Sequence, residues 1–277
     1  MSSSSPRRAA VLGSPVGHSR SPDLHRAAYQ ALGLTGWTYD RIECTAEQLP
    51  DLVSGLGPEY VGLSVTMPAK LAALAFADVR TDRAELVGSA NTLVRTDDGW
   101  RADCTDIDGM AGALREVGAD AADNPSAVVV GAGGTALPTV AALADAGITE
   151  LTVVARDAGR AVPVVEVARR LGMSSIVLPF EDGTELAHRC RVSAVAVSTV
   201  PADAVTPIVG SVAQAPAVVD VIYHPWPTPL AAAVDAAGGR IVGGLVMLLN
   251  QAFSQVEQFT GRPAPREAMA AALQHHA

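Results

Sequence analysis

The stretch that most constrains this chain is 127–136, AVVVGAGGTA. A short apolar, β-branched run reads as a buried strand, and the G-x-G-x-x-A that follows opens a helical pattern. In such a turn the first glycine lets the chain reverse tightly and the second lets backbone approach a pyrophosphate. The small sixth residue lets the helix pack on the strand. The helix N-terminus then offers unpaired N–H groups to phosphates. Alone, the turn fits either dinucleotide binding or a purely structural role. Its surroundings favour the first. Strands read at 126–131, 151–155, 175–180, 193–198, 217–223 and 240–243, with helical patterns at 135–146, 159–171, 183–190 and 228–237. Such alternation predicts a doubly wound, Rossmann-like α/β domain, expected at 107–246.

A second α/β series precedes it. Strands read at 9–13, 37–44 and 60–66, the last ended by Pro68, with helical stretches at 46–56 and 71–77. Ser21, Pro22 and Asp23 supply an N-cap, a proline at the first helical position and an acidic first turn for a helix running to Leu32. Residues 91–104 alternate around Asp97-Asp98-Gly99, which predicts a hairpin. The acidic, alanine-rich stretch 117–125 reads as a linker. After Gly244 the sequence turns helical. With the nucleotide fold complete, this tail is expected to return to the first domain, giving a division into 1–106 plus 247–277 and 107–246. The serine leader is low in complexity, and His275-His276 is expected in a frayed tail.

Composition excludes several function classes. The net charge of −9 argues against nucleic-acid or anionic-membrane partners. No apolar run approaches the roughly 18 residues needed to span a bilayer. The N-terminus lacks the apolar core of a secretory signal. Cys44, Cys104 and Cys190 are odd in number and widely spaced, forming neither a disulfide framework nor a zinc ligand set. A cytoplasmic protein with no metal site is expected.

Lys70, in GLSVTMPAK, is the only lysine; every other member of the Lys+Arg total of 20 is arginine. Coding bias explains why lysine is rare but not why one stands just after a strand and a Thr-x-Pro turn. Lysine can surrender a proton when its surroundings lower its pKa, whereas arginine cannot. Lys70 is therefore a candidate proton-transfer group. Ser19 and Ser21 follow the first strand as hydroxyls two residues apart, suited either to a carboxylate or to turn and capping roles. Asp106 either caps a helix starting near Ile107 or stands opposite Lys70. At the end of the 151–155 strand, Arg156 and Arg160 replace the acidic residue that binds a ribose 2′-hydroxyl. Guanidinium groups there suit either a 2′-phosphate, favouring NADP, or a solvated helix start. Asp157 either repels that phosphate or caps the next helix.

Taken together, the segments GSPVGHSRSPDLH, GLSVTMPAK, GSANT, CTDIDG, GAGGTA, ARDAGR, DVIYHPWPTPL and GGLVMLLNQA resemble the shikimate dehydrogenase family, in the family's order and across nearly the whole chain. The resemblance implies reduction of 3-dehydroshikimate to shikimate with NADPH, in aromatic amino-acid biosynthesis, by a monomer or homodimer with its active site in a cleft between a substrate-binding and a cofactor-binding domain. It implies Lys70 as acid/base and Asp106 as its partner. Ser19, Ser21 and Tyr223 would bind the substrate carboxylate, and Thr66, Asn91, Asp106 and Gln251 the ring hydroxyls. Gly131, Ala132, Gly133, Gly134, Thr135 and Ala136 would hold the pyrophosphate, Arg156 and Arg160 the 2′-phosphate, and Val221 and Gly244 the nicotinamide end. Asp82 matches a further cofactor contact. The chain departs from the family at Ser64 and Cys104, where many members have Asn, at Ala155 and Asp157 in the phosphate loop, and at Val246, which replaces a glycine. Two alternatives are an NAD-dependent quinate/shikimate dehydrogenase, against which the absence of an acidic residue at Ala155 speaks, and a non-catalytic ligand sensor, against which Lys70 and Asp106 speak.

Overall fold

A computed structural model of the chain describes residues 6–122 and 124–274. The serine leader, Asp123 within the expected linker and His275-His276 lie outside them. The chain forms two compact units: one runs to Thr105 and resumes at Gln251, the other is Asp106–Asn250.

The first unit comprises β1 (Arg7–Gly13), α1 (Ser21–Ala31), β2 (Trp37–Glu43), α2 (Leu49–Ser54), β3 (Tyr60–Val65), α3 (Lys70–Phe76), β4 (Val79–Arg80), α4 (Asp82–Val87), β5 (Thr92–Thr96) and β6 (Gly99–Asp103). Its sheet has the order β2-β1-β3-β5-β6-β4. Strand β1 runs parallel to β2 and β3, while the β5–β6 hairpin is antiparallel. Leu12, Leu63, Leu93 and Trp100 anchor the core on one face. Helix α1 begins at Ser21 itself and has no side-chain cap. The Ser21 side chain instead faces the Tyr39 hydroxyl on β2. Residues 79–87, for which the sequence reading has no element, form β4 and α4. Thr81 caps α4 by accepting from the Ala84 N–H at 3.3 Å, and Gly88 ends it at φ 65°.

The second unit comprises α5 (Asp106–Val117), β7 (Ser126–Val130), α6 (Ala136–Asp145), β8 (Glu150–Ala155), α7 (Ala158–Arg170), β9 (Ser174–Pro179), α8 (Thr184–Val192), β10 (Val195–Ser198), a short 3-10 turn at Thr206–Ile208, α9 (Val209–Val212), β11 (Ala217–Asp220), α10 (Pro229–Ala236) and β12 (Arg240–Gly243). Its parallel sheet has the order β12-β11-β10-β7-β8-β9. Renumbered within the unit, this is the 3-2-1-4-5-6 order of a dinucleotide fold, with its switch point between β7 and β10. Val128, Val130, Ala196, Val218 and Leu230 are buried in its core, as expected where helices cover both faces of a parallel sheet. The predicted strand at 217–223 stops at Asp220. The Asp220 carboxylate accepts from the Ile222 N–H at 3.1 Å and turns the backbone out of the ladder.

Helix α11 (Gly244–Thr260) starts in the second unit, runs unbroken past residue 247 and ends in the first, followed by α12 (Arg266–Gln274). In the first unit a Cβ on Gly62 of β3 would enter the Phe259 ring, so glycine is what lets α11 lie close to the sheet. Overpacking at such a contact costs roughly 1–3 kcal/mol.

Candidate functional site

In the first unit the candidate residues gather at the carboxyl ends of the parallel strands. The Ser14 N–H donates to the Met67 carbonyl at 3.0 Å, and the Thr66 N–H to that of Leu12 at 2.8 Å. Gly13 has no room for a side chain, because a Cβ there would collide with Thr66. Lys70 opens α3, and its carbonyl accepts from the Ala90 N–H at 3.1 Å; the Val65 N–H donates to the Asn91 carbonyl at 2.7 Å. The ends of β1 and β3, the start of α3 and Asn91 are thereby laced together through backbone. The Ser19 carbonyl takes two bonds from Arg41, at 3.0 and 2.6 Å, which holds the Ser19–Ser21 loop against β2.

Asn91 is buried, and its amide is oriented from both sides. Oδ1 accepts from the Thr105 N–H at 2.7 Å, which leaves Nδ2 to donate to Gln251 Oε1 at 3.1 Å. Behind this pair lies a buried polar chain. The Tyr39 hydroxyl donates to Ser64 Oγ at 2.6 Å, and Ser64 donates to Gln255 Oε1 at 2.8 Å. Gln255 Nε2 reaches Thr92 Oγ1 at 3.0 Å, and Thr92 reaches Asn91 Oδ1, also at 3.0 Å. His25 stacks on Tyr39, 4.0 Å between ring centroids, and pairs with Gln255 at 3.3 Å. Burial lowers its pKa to about 3, outweighing the Gln255 hydrogen bond, so the ring is neutral.

A second polar cluster fixes the segment leading to Thr105. Asp103 accepts from Arg83, Thr81, Gln258 and the Cys104 N–H, at 2.6 to 2.8 Å. Burial alone would raise this carboxyl, but Arg83, then Thr81 and Gln258, outweigh it and hold it at about 2. Asp82 is exposed on α4 next to Arg83.

The second unit carries the remaining candidates. Gly131 has φ 109°, a backbone conformation that favours glycine. Gly133 and Gly134 are exposed, and a Cβ on either would meet nothing within 4 Å. No packing in the fold requires those two to be glycine, and they leave open space just before α6, next to Thr135 and the buried Ala136. This fits a pyrophosphate cradle. Ala132 is half-buried, and Arg156 and Arg160 are exposed beyond β8. Asp157 Oδ1 accepts from the Gly159 N–H at 2.8 Å and caps α7, the second of its two readings. The loop carrying Val221 and Tyr223 is pinned at both ends. Asp220 takes the Ile222 N–H, while Thr228 donates to Asp220 at 2.7 Å and caps α10. Gly244 lacks room for a Cβ because the Val221 carbonyl lies against it, and the Trp226 ring covers Gly243 in the same way. Asp106, buried, opens α5.

Sequence reasoning missed Tyr39, Thr92, Asp103 and Gln255. One signal was available: Gln251, Gln255 and Gln258 recur at i, i+4 and i+7, one face of a helix. Among the described residues no helix is long and apolar enough to cross a membrane, and no cluster of His, Cys, Asp and Glu could hold a metal.

Comparison with known proteins places the chain among known sequences and structures. The family model described as the shikimate dehydrogenase substrate binding domain matches residues 11–93, and the shikimate 5'-dehydrogenase C-terminal domain matches 244–274. The chain is 37% identical over 275 residues to the NADP(+) shikimate dehydrogenase of Methylobacterium radiotolerans, covering 94% of this chain and 93% of that one. The crystal structure of Mycobacterium tuberculosis shikimate dehydrogenase matches with a TM-score of 0.92 at 57% identity, over 98% of this chain and 100% of that one. The Thermus thermophilus shikimate 5-dehydrogenase, crystallised with NADP(H) and shikimate, matches with a TM-score of 0.80 at 28% identity, over 97% and 99%. This chain belongs to the shikimate dehydrogenase family.

Proposed function

We propose that the protein is an NADP-dependent shikimate dehydrogenase interconverting 3-dehydroshikimate and shikimate. The observation that carries this reading is the gathering of Thr66, Lys70, Asn91 and Gln251 at the carboxyl ends of β1 and β3, where ligands of open α/β sheets bind. The first unit is assigned the substrate and the second the cofactor. Ser19, Ser21 and Tyr223 take the substrate carboxylate; Thr66, Asn91, Asp106 and Gln251 take its ring hydroxyls.

When bound, NADPH supplies the hydride for the ring ketone. The residues assigned to hold it are those of the 131–136 turn for the pyrophosphate, Arg156 and Arg160 for the 2′-phosphate, and Val221 and Gly244 at the nicotinamide end. Asp82 is retained as a further contact. Lys70 delivers a proton to the alkoxide oxygen as it forms and takes it back in the reverse direction, with Asp106 assigned to the same proton handling. A positive ammonium there also lowers the cost of negative charge on that oxygen. Asn91 and Gln251 orient the ring so that the reacting carbon is presented in one pose.

The reading is tested by following absorbance at 340 nm while purified protein is mixed with shikimate or quinate and NADP⁺ or NAD⁺. Reduction of NADP⁺ with shikimate, and little with the other pairs, is the expected result. Preference for NAD⁺ and quinate would replace it with the catabolic activity, and silence with every pair would remove the enzymatic reading.

A further inference from the structure

Gln255 has every hydrogen-bonding position of its side chain filled. Oε1 accepts from Ser64 at 2.8 Å and from His25 at 3.3 Å, while Nε2 donates to Thr92 Oγ1 at 3.0 Å and to the Asn91 carbonyl at 3.3 Å. A primary amide has two acceptor lone pairs and two N–H donors, so none is left over. The Asn91 carbonyl can only accept, which fixes Nε2 toward β5 and Oε1 toward Ser64. The four partners come from α1, β3, Asn91 and β5. A buried amide with every group satisfied is a strong orientational constraint, because any shift leaves a polar group unpaired.

The constraint reaches Gln251, one helical turn earlier on α11. The Thr105 N–H can only donate, so Asn91 Oδ1 is the acceptor and Asn91 Nδ2 the donor to Gln251 Oε1. Gln251 is left with its amide nitrogen to donate onward. From Tyr39 through Ser64 to Gln255, and from Gln255 through Thr92 to Asn91, each donor points the same way along the chain. It ends on two residues assigned to the substrate hydroxyls, and Ser21, which touches Tyr39 at its start, is assigned to the carboxylate.

We infer that Gln255 is a positioning residue for substrate recognition. It locks α11 against β3 and β5, so that Asn91 and Gln251 meet the substrate in one fixed orientation. This rests on the proposed shikimate dehydrogenase activity, and nothing in it requires Gln255 to touch substrate or cofactor.

The test is Gln255→Glu. Protonated, the new carboxyl can accept from Ser64 and donate once toward β5. Ionised, it accepts only and faces the Asn91 carbonyl. Of the titratable groups, His25 contacts this position directly and Tyr39 reaches it through Ser64, one neutral through burial and the other with its pKa raised by burial, so neither changes charge in the range used. Between about pH 6 and about pH 9, the shikimate KM of the variant relative to wild type is expected to climb about tenfold, with kcat and the NADP KM within about twofold. A ratio flat with pH, or equal losses in kcat and both KM values, would overturn the inference, because a merely structural defect gives no such split. If Gln255→Glu does not fold, Ser64→Ala removes one donor to Oε1 and should raise the shikimate KM about threefold or more at unchanged kcat; an unchanged KM overturns the inference. Side-chain amide exchange by NMR needs no substrate. The Asn91 Nδ2 protons should exchange slowly in wild type and faster in Gln255→Met, and equal exchange overturns the locking role even if wild type proves inactive on shikimate.

Discussion

Arg83 grips the Asp103 carboxylate with two nitrogens, Nε on Oδ1 at 2.7 Å and a terminal nitrogen on Oδ2 at 2.6 Å. Asp103 is almost fully buried while Arg83 keeps partial access to water, so the pair is charge-assisted and only weakly screened. It joins α4 to the end of β6, two residues before the Thr105 N–H that orients Asn91. A carboxyl held at about 2 in the folded protein, against about 3.9 in an unfolded chain, binds its proton less tightly when folded. Its stabilisation is therefore present above about pH 4 and lost as the pH falls toward about 2, and amounts to roughly 2–3 kcal/mol. Asp103→Asn should remove that increment at neutral pH and flatten the acid limb of a urea-denaturation series taken between about pH 5 and about pH 2. An acid limb identical to wild type would show that the pair contributes nothing.

Where sequence and structure part company, the reasons are local. The valine runs of β7, β8, β10 and β11 were legible because strands of a covered parallel sheet are apolar throughout. The turn after β7 was legible because a tight reversal there requires a glycine at 131, where φ is 109°. Strand β4 and helix α4 were not, since two residues and six residues fall below the window in which periodicity shows. Val221, Ile222 and Tyr223 are as strand-like as the residues before them, but the Ile222 N–H goes to the Asp220 side chain rather than to a neighbouring strand. Gln255 was hidden for another reason. A glutamine on a helix reads as solvent-facing, and its partner Ser64 is 191 positions away in the chain.

Lys70 is held in place by its backbone: the Ala90 N–H donates to its carbonyl, a bond that any residue at this position keeps. Lys70→Ala keeps this bond and should leave α3 in place while kcat falls by about 10²–10⁴. Lys70→Arg retains the positive charge but cannot deliver a proton. Recovery of most of the lost rate by arginine would mean that the charge alone stabilises the alkoxide; no recovery would support proton transfer. Near wild-type turnover by Lys70→Ala would exclude both.

The arginines past β8 and the aspartate between them have separable jobs. Asp157 is committed to the Gly159 N–H, so Asp157→Ala should cost α7 about 1 kcal/mol without exchanging one cofactor for the other. Replacing Arg156 and Arg160 together by alanine should raise the NADP KM at least about tenfold and leave the shikimate KM unchanged, because guanidinium–phosphate contacts are charge-assisted. Steady-state kinetics with both cofactors read the two effects apart. A double variant that keeps its NADP KM would place 2′-phosphate recognition elsewhere.

The glycines of the 131–134 turn divide into two kinds, and the division is testable. Gly131 sits at φ 109°, and a Cβ there would come within 2.8 Å of Val200 and closer still to Thr199. Gly131→Ala should therefore destabilise the second unit by more than about 1 kcal/mol, whatever the cofactor does. Gly133 has nothing within 4 Å of where its Cβ would stand. A valine there should fold with a melting temperature close to wild type, yet it fills the space before α6 that a pyrophosphate would enter. The expected result is a loss of NADP affinity of at least about tenfold at unchanged stability, read by fluorescence titration of the reduced cofactor. If Gly133→Val binds NADP as wild type does, the space before α6 does not hold the phosphates. The turn would then owe its glycines to Gly131 alone, and the structural reading of the motif would stand.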